Sequence, residues 1–457
     1  MGRLFGTDGV RGIVNESMTP ELAMKVAQAT CTWFGKGKVL VGRDVRYGGD
    51  MLVNAVSAGL LSAGCEVYYA GLVPTPALQY AVPRLGYDLG IMVTASHNPP
   101  PYNGVKVIGS NGVELPRESE REIEEIFFNE RFVRVPFNLV KGWKEEKRVL
   151  ETYVKGILKE VDDSLIKKKE FKVVVDGANS VGSLATPVVL RALGVKVLCV
   201  NCNLDPSFPG REPEPTPTSL TDTSAMAVAA GADLIVAHDA DADRAIIGDD
   251  RGEIYWGDRS GSLLTYFLSR KYPHLPRRTF TGVSSSHFVV EGFLKEKGIE
   301  VRWTPVGSVV ISHTLIKEGG ISGFEENGGF INPVHHPVRD GAMTAASFLE
   351  MMAIEGKKAS ELFSELPKAY AKKGKVPRPE KLNLEKLYEE LSSTYSSCEQ
   401  WRIDGLKVVC EDFWFLVRPS GTEPVLRIMV ETRDPRTLDE TYRNVEATVL
   451  KYLQGTP

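Results

Sequence analysis

The sequence predicts an α/β protein of three or four domains, the last of them α+β. Three observations carry this. A chain of 457 residues exceeds what one growing hydrophobic core sustains. Short β-branched runs alternate with helix-like stretches through its first three quarters, the signature of largely parallel sheets. Beyond them the pattern changes to consecutive strands with segregated helices.

The runs are legible in order. Lys38-Val-Leu-Val-Gly42 leads into Arg43-Asp44 and an amphipathic stretch at 50–63. Leu89-Gly-Ile-Met-Val93 ends in Thr94-Ala-Ser-His-Asn98, and Phe171-Lys-Val-Val-Val175 ends in Asp176-Gly-Ala-Asn179. Ala232-Asp-Leu-Ile-Val236 ends in His238-Asp239, and the run 279–283 ends in Ser284-Ser-Ser-His287. The starts near 38, 171 and 279 look like one unit used three times. Loops at the carboxyl ends of such strands are where ligands bind. The segment 364–382, with Pro367, Pro377 and Pro379, reads as a hinge. After it come a helix at 384–392, strands at 406–410, 413–417 and 425–431, and a helix from Leu438. Boundaries fall near 148, 250 and 370, giving domains 1–148, 149–250, 251–370 and 371–457.

Composition excludes several function classes. Hydrophobic residues make up 42% and charged residues 25%, and 55 basic residues nearly balance 59 acidic ones. Nothing therefore drives the chain toward nucleic acid or an anionic membrane. No apolar run is long enough to span a bilayer, and Gly6 stands where a myristoylation signal needs Ser or Thr. The six cysteines are scattered, and Cys199 and Cys202, three apart on a strand-like run, would point to opposite faces. They read as small buried hydrophobes in a reducing, cytoplasmic protein.

Ala237-His-Asp-Ala-Asp-Ala-Asp-Arg244 carries Asp239, Asp241 and Asp243 at alternate positions after an apolar strand. In an extended segment those side chains share a face, so three oxygens can converge on one hard cation. An EF-hand loop needs Gly at its sixth position, where Arg244 stands. A phosphatase using Asp239 as nucleophile is the enzyme alternative. Thr94-Ala-Ser-His-Asn-Pro-Pro-Pro101 holds Ser96 on a rigid turn, with His97 beside it, Lys106 shortly after and Arg11 in Phe5-Gly-Thr-Asp-Gly-Val-Arg-Gly12. Arg418-Pro-Ser-Gly-Thr-Glu-Pro424 offers a planar fork, two hydroxyls and a close backbone, a nest for phosphate built from Arg418, Ser420, Gly421 and Thr422. Gly323-Phe-Glu-Glu-Asn-Gly-Gly329 presents Glu325 and Asn327, a carboxylate and an amide able to hold neighbouring sugar hydroxyls. No P-loop and no dinucleotide-binding glycine motif occurs, so the ligand is a small phosphate ester rather than ATP or NAD.

Together these motifs, in order along the whole chain, resemble the α-D-phosphohexomutase family, which includes phosphoglucomutase, phosphomannomutase and phosphoglucosamine mutase. The resemblance implies four domains around one deep cleft, the first three sharing a mixed α/β topology. It implies that Ser96 carries the phosphoryl group and that Mg2+ binds Asp239, Asp241 and Asp243 together with the phosphoserine, with Arg244 beside them. Lys106 matches a general acid or base, Arg11 an arginine near the transferred phosphoryl, Glu325 and Asn327 the sugar loop, and the Arg418 loop the site of the non-reacting phosphate. The implied reaction interconverts hexose 1- and 6-phosphates through a hexose 1,6-bisphosphate, as a phosphomannomutase/phosphoglucomutase, with phosphoglucosamine mutase as the alternative and a homo-oligomer as one possible assembly. Two positions depart from many relatives: Gly329 stands where histidine is frequent, and Ser308 where His, Asn or Asp is. That leaves a second proton-transfer group unassigned, with His335 or His336 able to serve.

Overall fold

The computed structural model describes residues 4–6, 8–379, 382–420 and 424–454. Its first stretch forms β1 (Val10–Ile13), α1 (Pro20–Phe34), β2 (Lys38–Arg43), α2 (Gly49–Ser62), β3 (Glu66–Leu72), α3 (Thr75–Arg84), β4 (Leu89–Val93), β5 (Tyr102–Ile108), α4 (Arg117–Phe128) and β6 (Trp143–Glu145). The second forms α5 (Val149–Glu160), α6 (Asp163–Lys167), β7 (Lys172–Asp176), α7 (Gly182–Ala192), β8 (Lys196–Val200), α8 (Thr221–Ala230), β9 (Leu234–His238), β10 (Ala245–Gly248) and β11 (Ile254–Tyr255). The third forms α9 (Gly257–Lys271), β12 (Arg278–Gly282), α10 (His287–Glu296), β13 (Glu300–Thr304), α11 (Ser308–Glu318), β14 (Ser322–Phe324), β15 (Phe330–Ile331), α12 (Gly341–Glu355) and α13 (Ala359–Phe363). The last forms β16 (Tyr370–Pro377), α14 (Leu384–Thr394), β17 (Glu399–Trp401), β18 (Leu406–Val409), β19 (Phe413–Pro419), β20 (Val425–Thr432) and α15 (Leu438–Gln454).

One architectural unit recurs three times. Within their sheets the strands run β3-β2-β4-β5, then β8-β7-β9-β10, then β13-β12-β14-β15. In each unit the first three neighbours are parallel and the fourth is antiparallel to the third. The link from third to fourth strand is therefore the same structural position in all three domains. Ser96, the three aspartates and Glu325 each lie on it. β4 and β9 are buried along their whole length, as parallel strands covered on both faces must be.

The largest apolar cluster runs from α3 through α5 and α7 to α9 and α12, so the first three domains share one continuous core. The last domain has its own, built from β16, β18, β19, β20, α14 and α15. Among the described residues a small apolar seam joins it to the third: Val283 and Phe288 pack on Trp414, Leu416 and Met429. Across that seam Lys407 Nζ donates to Val283 O (2.9 Å) amid the rings of Trp303 and Trp414, and Glu431 accepts from Ser286 Oγ (2.9 Å).

Two expectations are corrected. The proline-rich stretch expected to be a hinge contains strand β16, paired with β20 over its full length. Its lysines and Pro377 suit it to the sheet edge, where an absent N–H breaks no ladder. The cysteines are not free: Cys31–Cys65, Cys199–Cys202 and Cys398–Cys410 are disulfides. Opposite-face geometry fails for Cys199 and Cys202 because β8 ends at Val200 and Asn201 turns left-handed (φ 50°), swinging Cys202 back to a Cα separation of 5.8 Å. No helix among the described residues is long and apolar enough to cross a membrane.

Candidate functional site

The β4–β5 link places Ser96 in the left-handed region (φ 50°), with its N–H donating to Thr94 Oγ1 (2.9 Å). The Ser96 hydroxyl is fully buried and donates to Asp239 Oδ2 at 2.8 Å. Strand β1 lies antiparallel to β5, which brings Arg11 against the same loop. Arg11 donates to Ala95 O (3.2 Å) and Asn98 Oδ1 (2.8 Å). Lys106, on β5, reaches Asp8 (2.9 Å), Asp241 (3.2 Å) and Asp243 (3.4 Å).

The β9–β10 link is a tight turn with Ala242 at φ 58°. It gathers Asp239, Asp241 and Asp243 so that one oxygen of each lies within 4.8 Å of the others. Burial first, then Asp243 and Asp241, push the Asp239 carboxyl well above the ordinary range. Burial would also raise Asp241, but Lys106 and a 2.6 Å hydrogen bond from Thr75 Oγ1 hold it below that range. Asp241 Oδ1 and Asp243 Oδ1 are buried without a hydrogen-bond partner. Clustered hard oxygens, two of them orphaned and one carboxyl forced upward by its neighbours, fit a divalent cation. Arg244 follows, 3.8 Å from Asp239 and from Asp243, and its Nη2 lies 2.9 Å from His97 Nδ1. Burial, then the Arg244 charge, lower the His97 pKa and leave its ring neutral.

The β14–β15 link carries Glu325, whose oxygens accept from Gly307 N (3.1 Å) and Arg339 Nη1 (3.3 Å). Asn327 Oδ1 accepts from Gly329 N (3.1 Å). Gly328 (φ 92°) lets this loop lie against Gly257 and Ala245 closely enough that its O accepts from Ala245 N (3.0 Å). Arg418 pairs with Asp404 (3.0 Å), whose carboxylate also accepts from Val306 N (3.2 Å), and Arg418 Nε is buried and unpartnered. Among the described residues Arg418 makes no contact with the central cluster. Ser420 is buried beside it, while Gly421 and Thr422 lie outside the described residues.

Two members of the cluster escaped sequence reasoning. Asp8 accepts from Arg11 (2.8 Å) and sits within the glycine-rich start already singled out. Burial would raise its pKa, but Lys106, Arg11 and Arg339 together pull it far below the carboxylate range. Arg339 is the larger omission. Its guanidinium contacts Asp8 (3.3 Å), Asp243 (2.5 Å) and Glu325 (3.3 Å), joining the first three domains through one side chain. The clue was Gly329: a Cβ there would come within 2.3 Å of Arg339 Cδ, so the missing side chain makes room for this stem. His335 and His336, expected as substitutes, are occupied elsewhere. His335 stacks on Tyr80 at 4.5 Å beside Asp340, and His336 lies 3.3 Å from Gly112 O and 3.4 Å from Arg84.

Models of the phosphoglucomutase/phosphomannomutase family match in succession: α/β/α domain I over residues 2–134, domain II over 151–252, domain III over 256–370, and the C-terminal domain over 363–447. The chain belongs to this family. It is accordingly a phosphohexomutase, a phosphotransferase of the isomerase class, with the four-domain fold. A phosphoglucosamine/phosphogalactosamine mutase of Sulfurisphaera tokodaii is 53% identical over 453 residues, covering 98% of this chain and 99% of that one. A phosphoglucomutase/phosphomannomutase of Thermococcus kodakarensis is 41% identical over 440 residues, covering 95% of each. The crystal structure of a family member from Burkholderia thailandensis superposes with a TM-score of 0.87 at 25% identity, over 99% of this chain and 98% of that one.

Proposed function

We propose that this enzyme interconverts the 1- and 6-phosphates of hexosamines, glucosamine foremost, by way of phosphorylated Ser96 and a sugar 1,6-bisphosphate. The motifs alone had favoured mannose or glucose phosphates. The 53% identical relative, named for glucosamine and galactosamine phosphates, shifts the preference to the amino sugars. One observation carries the mechanism: the Ser96 hydroxyl points into the three-aspartate cluster, 2.8 Å from Asp239.

Asp239, Asp241 and Asp243 would hold Mg2+ together with the phosphorylated Ser96. Bound there, Mg2+ supplies charge neutralisation for the transferring phosphoryl oxygens. The side chains around it do the remaining work. The phosphoryl group leaves Ser96 Oγ for the free hydroxyl of the monophosphate, giving the bisphosphate and a serine hydroxyl. The bisphosphate reorients, and its other phosphoryl returns to Ser96 Oγ. Arg11 braces the serine loop and, with Arg244, faces the transferring group; such fixed charge supplies most of the acceleration in phosphoryl transfer. The neutral His97 is the group able to take the acceptor's proton, whereas Lys106, which despite its burial is kept protonated by Asp241, Asp8 and Asp243, can serve only as an acid. Glu325 and Asn327 grip sugar hydroxyls, and Arg418, Ser420, Gly421 and Thr422 take the phosphate that does not react. The separate core of the last domain supports its opening for reorientation and its closing against water. A cytoplasmic setting fits this substrate class, and the three disulfides are compatible with it where intracellular proteins are disulfide-rich, as in hyperthermophiles.

The deciding experiment presents prephosphorylated enzyme and Mg2+ with glucosamine, glucose and mannose phosphates in turn. Glucosamine phosphate should show the highest kcat/KM, and Ser96→Ala should abolish isomerisation with the fold intact. Preference for glucose or mannose would return the assignment to the phosphomannomutase/phosphoglucomutase reading. Steady phosphate release without isomer would support the Asp239 phosphatase instead.

A further inference from the structure

Where β2 ends, Arg43-Asp44-Val45-Arg46 turns toward α2, and Arg46 is left 1% exposed. Its guanidinium donates to four main-chain carbonyls of the serine loop. Nη1 reaches Pro99 O (2.9 Å) and Tyr102 O (3.0 Å), while Nη2 reaches Ser96 O (2.5 Å) and Asn98 O (2.6 Å). Its Nε lies 3.2 Å from Asp44 Oδ2. That same oxygen accepts the Thr94 hydroxyl (2.6 Å), and Thr94 Oγ1 accepts the Ser96 N–H (2.9 Å). The ring of Phe208, from the second domain, stands 5.1 Å from the guanidinium and packs with Val45 and with Ala240 of the aspartate loop.

The need for such a cradle follows from the loop's chemistry. Pro99, Pro100 and Pro101 have no N–H, so the loop is short of donors for its own carbonyls; Pro99 O also takes the Tyr102 N–H (3.0 Å), while Ser96 O and Asn98 O turn to Arg46. Ser96 also sits at φ 50°, which costs an ordinary residue on the order of 1 kcal/mol and persists only where surroundings impose it. A planar fork of five N–H groups can meet four converging oxygens; an ammonium with three cannot.

We propose that Asp44, Arg46 and Thr94 form a cradle that sets the direction of the Ser96 Cβ–Oγ bond, with Arg46 the positioning residue for phosphoryl transfer. Arg46 touches the reacting serine only through backbone. The cradle rests on the phosphoserine reading above, and Phe208 and Ala240 key it to the aspartate loop, so serine and metal ligands are held in register.

The test compares wild type, Arg46→Lys and Thr94→Val, reading three quantities: Ser96 phosphorylation by a hexose 1,6-bisphosphate, steady-state kcat and KM, and thermal unfolding. Since a displacement near 1 Å costs about 100-fold, Arg46→Lys should lower kcat and the phosphorylation rate by about that factor. Thr94→Val removes two hydrogen bonds of the cradle, the one to Asp44 and the one from the Ser96 N–H, and should lower both by about tenfold, the equivalent of 1.4 kcal/mol. KM should stay within about threefold, because Glu325 and Arg418 lie outside the cradle and contribute binding rather than in-line geometry. A folded Arg46→Lys enzyme with wild-type kcat overturns the proposal, as does a loss that only tracks the unfolded fraction. If Arg46→Lys does not fold, Thr94→Val decides on the same criteria. Wild type that takes up phosphate on Ser96 yet never forms isomer would sink the mutase reading, while the phosphorylation rates would still judge the cradle.

Discussion

Asp239→Asn is expected to stabilise the metal-free protein while weakening its hold on a divalent cation. The three aspartates offer oxygens within 4.8 Å of one another. At that separation and an effective dielectric of about 20, two unit charges repel by about 3.5 kcal/mol. Asp239 faces two such neighbours, whereas Arg244 Nε at 3.8 Å returns about 4.4 kcal/mol on the same footing. About 2–3 kcal/mol thus remains against the ionised carboxylate. The sign agrees with a pKa driven well above normal by burial and by Asp243 and Asp241. Because Asp239 escapes part of this by taking up a proton, the gain from Asn is at most about 2 kcal/mol, a shift of a few degrees. Metal affinity moves the other way. Removing a mere outer-shell partner weakens binding 10–100-fold, so removing a ligand should cost at least about 100-fold. Thermal unfolding in chelator and across a Mg2+ titration reads both effects. Wild type should gain about 2.7 kcal/mol at a hundred times its Kd, and the variant far less at the same concentration. An Asp239→Asn protein that melts below wild type in chelator, or gains equally from Mg2+, refutes the reasoning.

Further outcomes follow from other contacts. Arg339→Gln strands three carboxylates and should cost about 3–5 kcal/mol of stability, measured by calorimetry. Gly329→Ala displaces the same side chain without deleting it, so the KM for sugar phosphate should rise several-fold with little change in melting; an unchanged KM would contradict the assigned link. Burial pushes the Lys407 ammonium down to about 7, so between that pH and its usual 10.5 the unfolded chain binds more protons and stability from this site rises with pH. Lys407→Met should therefore gain on wild type by up to about 1.4 kcal/mol per unit as pH falls through that window, and a constant difference in melting temperature would refute it. Thiol titration in denaturant without reductant should find no reactive cysteine. Replacing Cys31 and Cys65, 34 residues apart, by serine should lower stability by about 4 kcal/mol on the loop-entropy scale.

Local chemistry was readable along the chain because it needs only neighbours in sequence. The buried strands that lead into Ser96 and Asp239 announced themselves by β-branched runs, the buried cluster of three carboxylates by alternating acids, and the repeated unit by three similar strand starts. The hinge misreading had an equally local cause: lysine and proline mark a flexible segment and an edge strand alike, and only pairing with β20 separates the two. The cysteine misreading came from extending the strand to Asn203, three residues past the end of β8 at Val200.

Sequence alone determined the reaction class, through a serine, three aspartates and an arginine loop spaced along 457 residues. Only the tertiary structure decided which cations balance those acids. Arg339 lies 331 positions from Asp8 and Arg46 lies 50 from Ser96, separations over which no periodicity carries information. Charge acts through space, so the partners of a buried carboxylate are set by how three equivalent strand links converge rather than by their order in the chain.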